Sequence, residues 1–200
     1  FIVVFGFMSL FAPRFFNLFN LTSILKAISM NASVAIGFTV VMICGQLDLS
    51  IGTVITFAGV ITLGLQPYLG YPAAIAVAIV SGAIVGLLNG LLVAKSKINS
   101  FIVTLGTMTI LQGAIYQFSG GNSISVSTPE AFVISDFLGK AFIPLVTPRI
   151  LISLVLVIAM EFYLRRTRGG RNFYLVGGNR STAWLAGIRT DRYTIAAFIL

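Results

Sequence analysis

The segment GQLDLSIG, Gly45 to Gly52, places one carboxylate between two apolar stretches. Gly45 and Gly52 at its ends can release a helix, and Ser50 is placed to cap the next one. Asp48 would then sit near a helix start, where the positive dipole end favours an anion. Two structures answer this pattern. One is a well-capped turn at a membrane surface. The other is a broken helix beside a transport path, since irregular backbone at depth is tolerated where it lines a cavity. Gly45, Asp48, Ser50 and Gly52 are the transport-path candidates.

A second concentration of chemistry is RRTRGGRNFYLVGGNRSTAWLAGIRTDR, Arg165 to Arg192, which holds seven of the thirteen basic residues. Gly177 and Gly178 are expected to break the chain. Asn179 or Ser181 can cap a short helix through Ala186, and Gly187 can close it. That helix presents Trp184 and Leu185, either to lipid headgroups or to a groove on a partner, where Trp and Arg dominate contacts.

Other chemistry is excluded. Histidine is absent, so no histidine ligand or base exists, and no metal site is expected. The single cysteine, Cys44, forbids an intrachain disulfide. Nothing matches Gly, four residues, then Gly-Lys-Ser/Thr, and the Gly169-Gly170 and Gly177-Gly178 pairs lack the Lys-Ser or Lys-Thr that a P-loop requires. No Gly-x-Ser-x-Gly elbow is present. The basic charge has no aromatic platform or base-reading motif beside it, so nucleic acid is not an expected partner.

The elements that must position these residues are apolar. Hydrophobic residues make up 58% of the chain and charged ones 9%, against about 25% charged in a soluble domain. The bilayer is the expected partner surface, and the fold class is all-α, a polytopic transmembrane bundle of about six to seven spans. Apolar stretches run over 1–12 (ended by Pro13), 24–44, 51–65, 73–94, 101–118, 150–164 and from Tyr193 onward. Those at 51–65 and 150–164 are short against the ~20 residues a crossing needs. Pro67, Gly70 and Pro72 read as a tight turn, and the stretch 119–148 as a place for a helix lying at the surface. The chain starts and stops inside apolar stretches, with no initiator Met, and reads as a single transmembrane domain over 1–200 cut at both ends.

Alternating sides span by span puts Lys95, Lys97 and the seven arginines of 165–192 together, against Arg14, Lys26, Lys140 and Arg149. The excess of basic residues makes the 165–192 side cytoplasmic. Gly82, Gly86 and Gly90, four apart in SGAIVGLLNG, make a smooth strip for close helix packing, within the chain in preference to a subunit interface, and Asn89 beside it reads as an interhelical hydrogen-bond donor ahead of a pore-lining group.

Three blocks carry a family resemblance. GQLDLSIGTVITFAGV resembles the signature after the second helix of ribose-type ATP-binding-cassette permeases. LNGLLVAKSKINSFIVTLGTMTILQG is similar to that family's next block. RGGRNFYLVGGNRSTAWLAGIRTDR looks like its cytoplasmic coupling loop. The resemblance implies the bacterial inner membrane and import of a monosaccharide or similar small polyol. It also implies a second permease subunit, a cytoplasmic ATP-binding subunit and an extracytoplasmic solute-binding protein. ATP would be used by the partner, with no cofactor and no catalysis in this chain. Carried over residue by residue, the coupling helix is Ser181, Thr182, Ala183, Trp184, Leu185, Ala186 and Gly187. Relatives usually show an acidic residue near its start, where this chain has Arg180, Ser181 and Thr182; a cation there is unfavourable unless a carboxylate answers it. The other transport class, an ion-coupled secondary carrier of a small polar solute, would have to use Asp48 or Glu161.

Overall fold

The structure, a computed structural model, describes residues 2–12 and 15–200. Pro13, expected to end the first apolar piece, and Arg14, counted in the charge balance, lie outside the described residues.

Ten helices are described: α1 (Ile2–Phe11), α2 (Leu18–Ile43), α3 (Ile51–Leu69), α4 (Tyr71–Ala94), α5 (Ser100–Ser119), α6 (Pro129–Gly139), α7 (Pro148–Arg166), α8 (Arg168–Gly178), α9 (Arg180–Leu185) and α10 (Thr190–Ile199). Four of them, α2 to α5, are long and apolar enough to cross a membrane. α7 has a span's length at 19 residues, but charges crowd its ends at Arg149, Glu161, Arg165 and Arg166. The chain is an all-α polytopic helical protein.

Local chemistry sets the boundaries. Asn17, Asn99, Thr128 and Thr147 accept hydrogen bonds from the first turns of α2, α5, α6 and α7, satisfying donors that a helix start leaves open. α3 runs to Leu69, past the expected end at residue 65, and Pro67 lies inside it. Proline there removes one bond in the last turn, so the helix survives. Gly70 makes the reversal at φ 75°, a conformation open to glycine. Pro72 falls in the first turn of α4, where its missing N–H costs nothing. In the 119–148 stretch, α6 forms, while Phe142 to Val146 makes a tight turn closed by a bridge between Ile143 and Val146.

Packing divides the bundle into two groups. α4 lies against α3 and α5, and α2 against α7 and α8; α10 touches α4, α2 and α8 and joins them. The shared core contains Val40, Val41, Val93, Val103, Leu164, Phe173, Ala197 and Phe198. A Cβ on Gly86 would collide with the backbone carbonyl of Phe198, and one on Gly90 would lie 2.8 Å from Ile195 Cα. α10 therefore rests directly on the backbone of α4. Gly82 is different: its nearest neighbour is the Val54 side chain of α3, at 3.6 Å.

Candidate functional site

α2 ends in a left-handed Gly45 at φ 72°. Gly45 N donates to Met42 O at 2.9 Å and Gln46 N to Val41 O at 3.1 Å, a Schellman termination. The chain then runs without helix for several residues before α3.

Polar side chains hold that segment. Leu47 N donates to Ser100 Oγ (3.2 Å) and Leu49 N to Thr104 Oγ1 (3.1 Å). Asp48 Oδ1 accepts from both the backbone N (2.7 Å) and the hydroxyl (2.6 Å) of Ser50. Asn89 Nδ2 donates to Ser50 Oγ (3.1 Å), and Thr107 Oγ1 donates to Asn89 Oδ1 (2.6 Å). Asp48, Ser50, Asn89, Ser100 and Thr104 are all buried. Ser50 precedes α3 but does not cap it; its hydroxyl is committed to Asp48.

These contacts fix a depth. Asn89 lies five residues before the end of α4, and Thr107 seven residues after the start of α5. At ~1.5 Å per residue, Ser50 is level with points roughly 7–10 Å inside those helix ends. α3 thus begins well within the bundle. Irregular backbone at that level is supported by protein partners for the N–H groups of Leu47, Leu49 and Ser50.

Beside the start of α3, a cavity of ≈ 630 Å³ opens between α3 and α5 and reaches Ser119 to Ser123. Gly52, Thr53 and Thr56 line one wall, and Gln112, Tyr116 and Asn122 stand opposite. No charged side chain is among its lining residues. Of the four path candidates, Gly52 lines this cavity. Asp48 and Ser50 lie in the buried network, and Gly45 packs against Gly177 of α8. Thr53, Thr56, Gln112 and Tyr116 escaped the reading of the sequence. Their signal is spacing: Thr53 and Thr56 are three apart and Gln112 and Tyr116 four apart, placing each pair on one helix face.

Between the end of α7 and the start of α10, the 165–192 stretch holds two helices, α8 and α9, where the sequence suggested one. Gly177 and Gly178, expected to break the chain, are the last residues of α8, and the break falls at Asn179. Asn179 Oδ1 accepts from Thr182 N at 2.9 Å and caps α9. Gly187, at φ 81°, donates to Trp184 O (2.9 Å), and Ile188 N donates to Ala183 O (3.0 Å), which closes α9 in a second Schellman motif. Ala183 packs inward, while Ser181, Ala186 and Gly187 are exposed. Trp184 is 68% exposed and Leu185 77%. They border an open groove of ≈ 860 Å³ shared with Lys97, Asn99 and Arg180.

A single carboxylate organises this end. Asp191 Oδ1 accepts from Arg180 Nη2 at 2.8 Å, and its Oδ2 lies 3.3 Å from Lys95 Nζ. Burial pushes the Asp191 carboxyl up, but hydrogen bonds from Arg180 and Lys95, and the charges of both, hold it below its ordinary value.

The fold and these sites define a polytopic helical membrane protein with a recessed helix start, an uncharged cavity and an exposed short helix at one end. The chain belongs to the family described as the branched-chain amino acid transport system permease component, whose model matches residues 20–200. It is 34% identical to the L-arabinose ABC transporter permease protein AraH of Azospirillum brasilense, over 100% of this chain and 58% of that protein. It is 33% identical to the ribose import permease protein RbsC of Bacillus subtilis (96% and 60%). Against the autoinducer 2 import system permease protein LsrC of Yersinia pestis the identity is 30% (98% and 55%). The chain spans about three fifths of the length of these curated relatives. No solved structure matches it.

Proposed function

We propose that this chain is the larger part of the membrane-spanning subunit of an ATP-binding-cassette importer, and that it passes a neutral monosaccharide or small polyol along the α3–α5 cavity. The observation that carries the reading is the cavity's lining of hydroxyl and amide groups without a charged side chain. An amino acid would bring an ammonium and a carboxylate into a site with no counter-charge, which is costly. A sugar brings hydroxyls, which threonine, glutamine, tyrosine and asparagine pair as donors and acceptors. The names of the arabinose and ribose relatives agree with this choice.

The partners follow from the same reading. A cytoplasmic ATP-binding subunit receives Trp184 and Leu185 in a groove and hydrolyses the ATP, so this chain binds no cofactor and catalyses nothing. A solute-binding protein delivers substrate at the opposite end, and a second permease subunit completes the pathway. The 165–192 end faces the cytoplasm of a bacterial inner membrane, as its basic residues favour. Ion-coupled carriage fits less well: Asp48 is bonded to Ser50, exposed Glu161 pairs with Arg165, and neither lines the cavity.

The test is Gln112→Leu in the full-length permease. Removing one neutral hydrogen bond, worth ~1 kcal/mol, lowers uptake affinity roughly fivefold, with membrane abundance and ATPase retention unchanged. Unchanged uptake in Gln112→Leu and in Thr56→Val would contradict the assigned path.

A further inference from the structure

The geometry points to α8 as a binding site for the phosphate headgroup of an anionic phospholipid, with Arg168 and Arg171 as the recognising groups. The helix lies across the ends of two others. Near its start, a Cβ on Gly170 would collide with Tyr163 and Leu164 in the last turn of α7. At its far end, one on Gly177 would collide with the carbonyl of Ile43 at the end of α2. A helix seated on the ends of two parallel neighbours runs along the membrane surface.

One face is fixed to the protein. Gly170, Phe173 and Val176 are buried. Phe173 meets the rings of Tyr163 and Tyr193 edge-on, at 6.4 and 5.2 Å between centroids. Asn172 Nδ2 donates to Tyr193 Oη at 2.7 Å. The other face is open: Arg168, Arg171, Tyr174 and Leu175 are exposed and border a shallow hollow with Asn172. A surface-lying helix with basic residues beside an aromatic and a leucine is built for the headgroup boundary.

Charge selects the ligand. Both carboxylates at this end are taken, Glu161 by Arg165 and Asp191 by Lys95 and Arg180. Among the described residues, no ion pair reaches Arg168 or Arg171. Three residues apart, the two guanidiniums share one helix face, and their N–H forks match phosphate oxygens. Tyr174 and Leu175 meet the glycerol and upper acyl region, a complement that free phosphate lacks.

The experiment uses the full-length permease in nanodiscs of equal phosphatidylcholine and phosphatidylglycerol, with retained lipid identified by native mass spectrometry. Phosphatidylglycerol should be retained preferentially, with Arg168→Gln and Arg171→Gln each lowering the preference about fivefold. Arg168→Lys/Arg171→Lys should keep most of it, and Arg189→Gln/Arg192→Gln should leave it unchanged. Millimolar inorganic phosphate should not displace the lipid. Equal retention of both lipids, or an unchanged preference in the double glutamine variant, overturns the assignment. So does displacement by phosphate, or loss of the ATP-binding subunit from the glutamine variant with its lipid intact.

Discussion

Arg180 Nη2 and Asp191 Oδ1 lie 2.8 Å apart, and through this contact the chain answers, from within itself, a cation at the positive end of α9. The same carboxylate reaches Lys95 at the end of α4. Three helix ends are thereby tied at one residue. Both partners are partly exposed, so the pair adds little to global stability, within ~1 kcal/mol; its effect is on the placement of α9. Asp191→Ala should leave thermal unfolding in detergent nearly unchanged while a spin label at Ser181 gains mobility. Asp191→Asn, which keeps an acceptor but no charge, should fall between. A label equally immobile in all three proteins would show that α9 is held by its caps alone.

The same carboxylate gives a pH dependence with a definite sign. Its value is lowered in the folded protein, so its contribution is complete above the ordinary aspartate value of about 4. It is lost as pH falls through the lower folded value. Spin-label mobility at Ser181 should rise on acidification below that ordinary value, and Asp191→Asn should abolish the transition. A transition that persists in Asp191→Asn assigns it to another group.

Glycine strip residues should separate by position. Gly86→Ala forces α10 off α4 at the Phe198 carbonyl, an overpacking cost of about 1–3 kcal/mol. Gly82→Ala meets only the Val54 side chain at 3.6 Å, and helix propensity gains up to ~1 kcal/mol. Unfolding temperatures in detergent should fall for the first and hold or rise for the second. Equal losses would mean that α4 packs through Gly82 and Gly86 alike.

Asp48 accepts two hydrogen bonds from Ser50 through one oxygen, a role that an asparagine carbonyl can fill. Asp48→Asn should keep membrane abundance and uptake near normal. Asp48→Ala strands buried donors at about 1–3 kcal/mol, and abundance and uptake should fall together. Lost uptake at normal abundance in Asp48→Asn would give the charge itself a place in transport.

Helix content, the irregular segment before α3 and the short helix at 180–185 were legible because each rests on local signals: apolar runs, glycine at φ above zero, an asparagine cap. The depth of Ser50 was not. It depends on Asn89 of α4 reaching Ser50 while Thr107 of α5 bonds Asn89 in turn, and no local pattern reports such a meeting. α8 was missed for a related reason. Gly177 and Gly178 read as a break, yet Gly170 and Gly177 are small because backbone lies against them. The compensation of Arg180 by Asp191 joins residues eleven apart across two helix starts and required the fold to bring them together.

The most direct measurement is uptake into vesicles that hold the full-length permease and its ATP-binding subunit, with the solute-binding protein outside. Labelled ribose, arabinose and leucine are offered in turn, with and without ATP. At least one of the sugars should accumulate in an ATP-dependent way, and leucine should not. Accumulation of leucine, or uptake of any of the three driven by an ion gradient without ATP, would contradict ATP-driven sugar import.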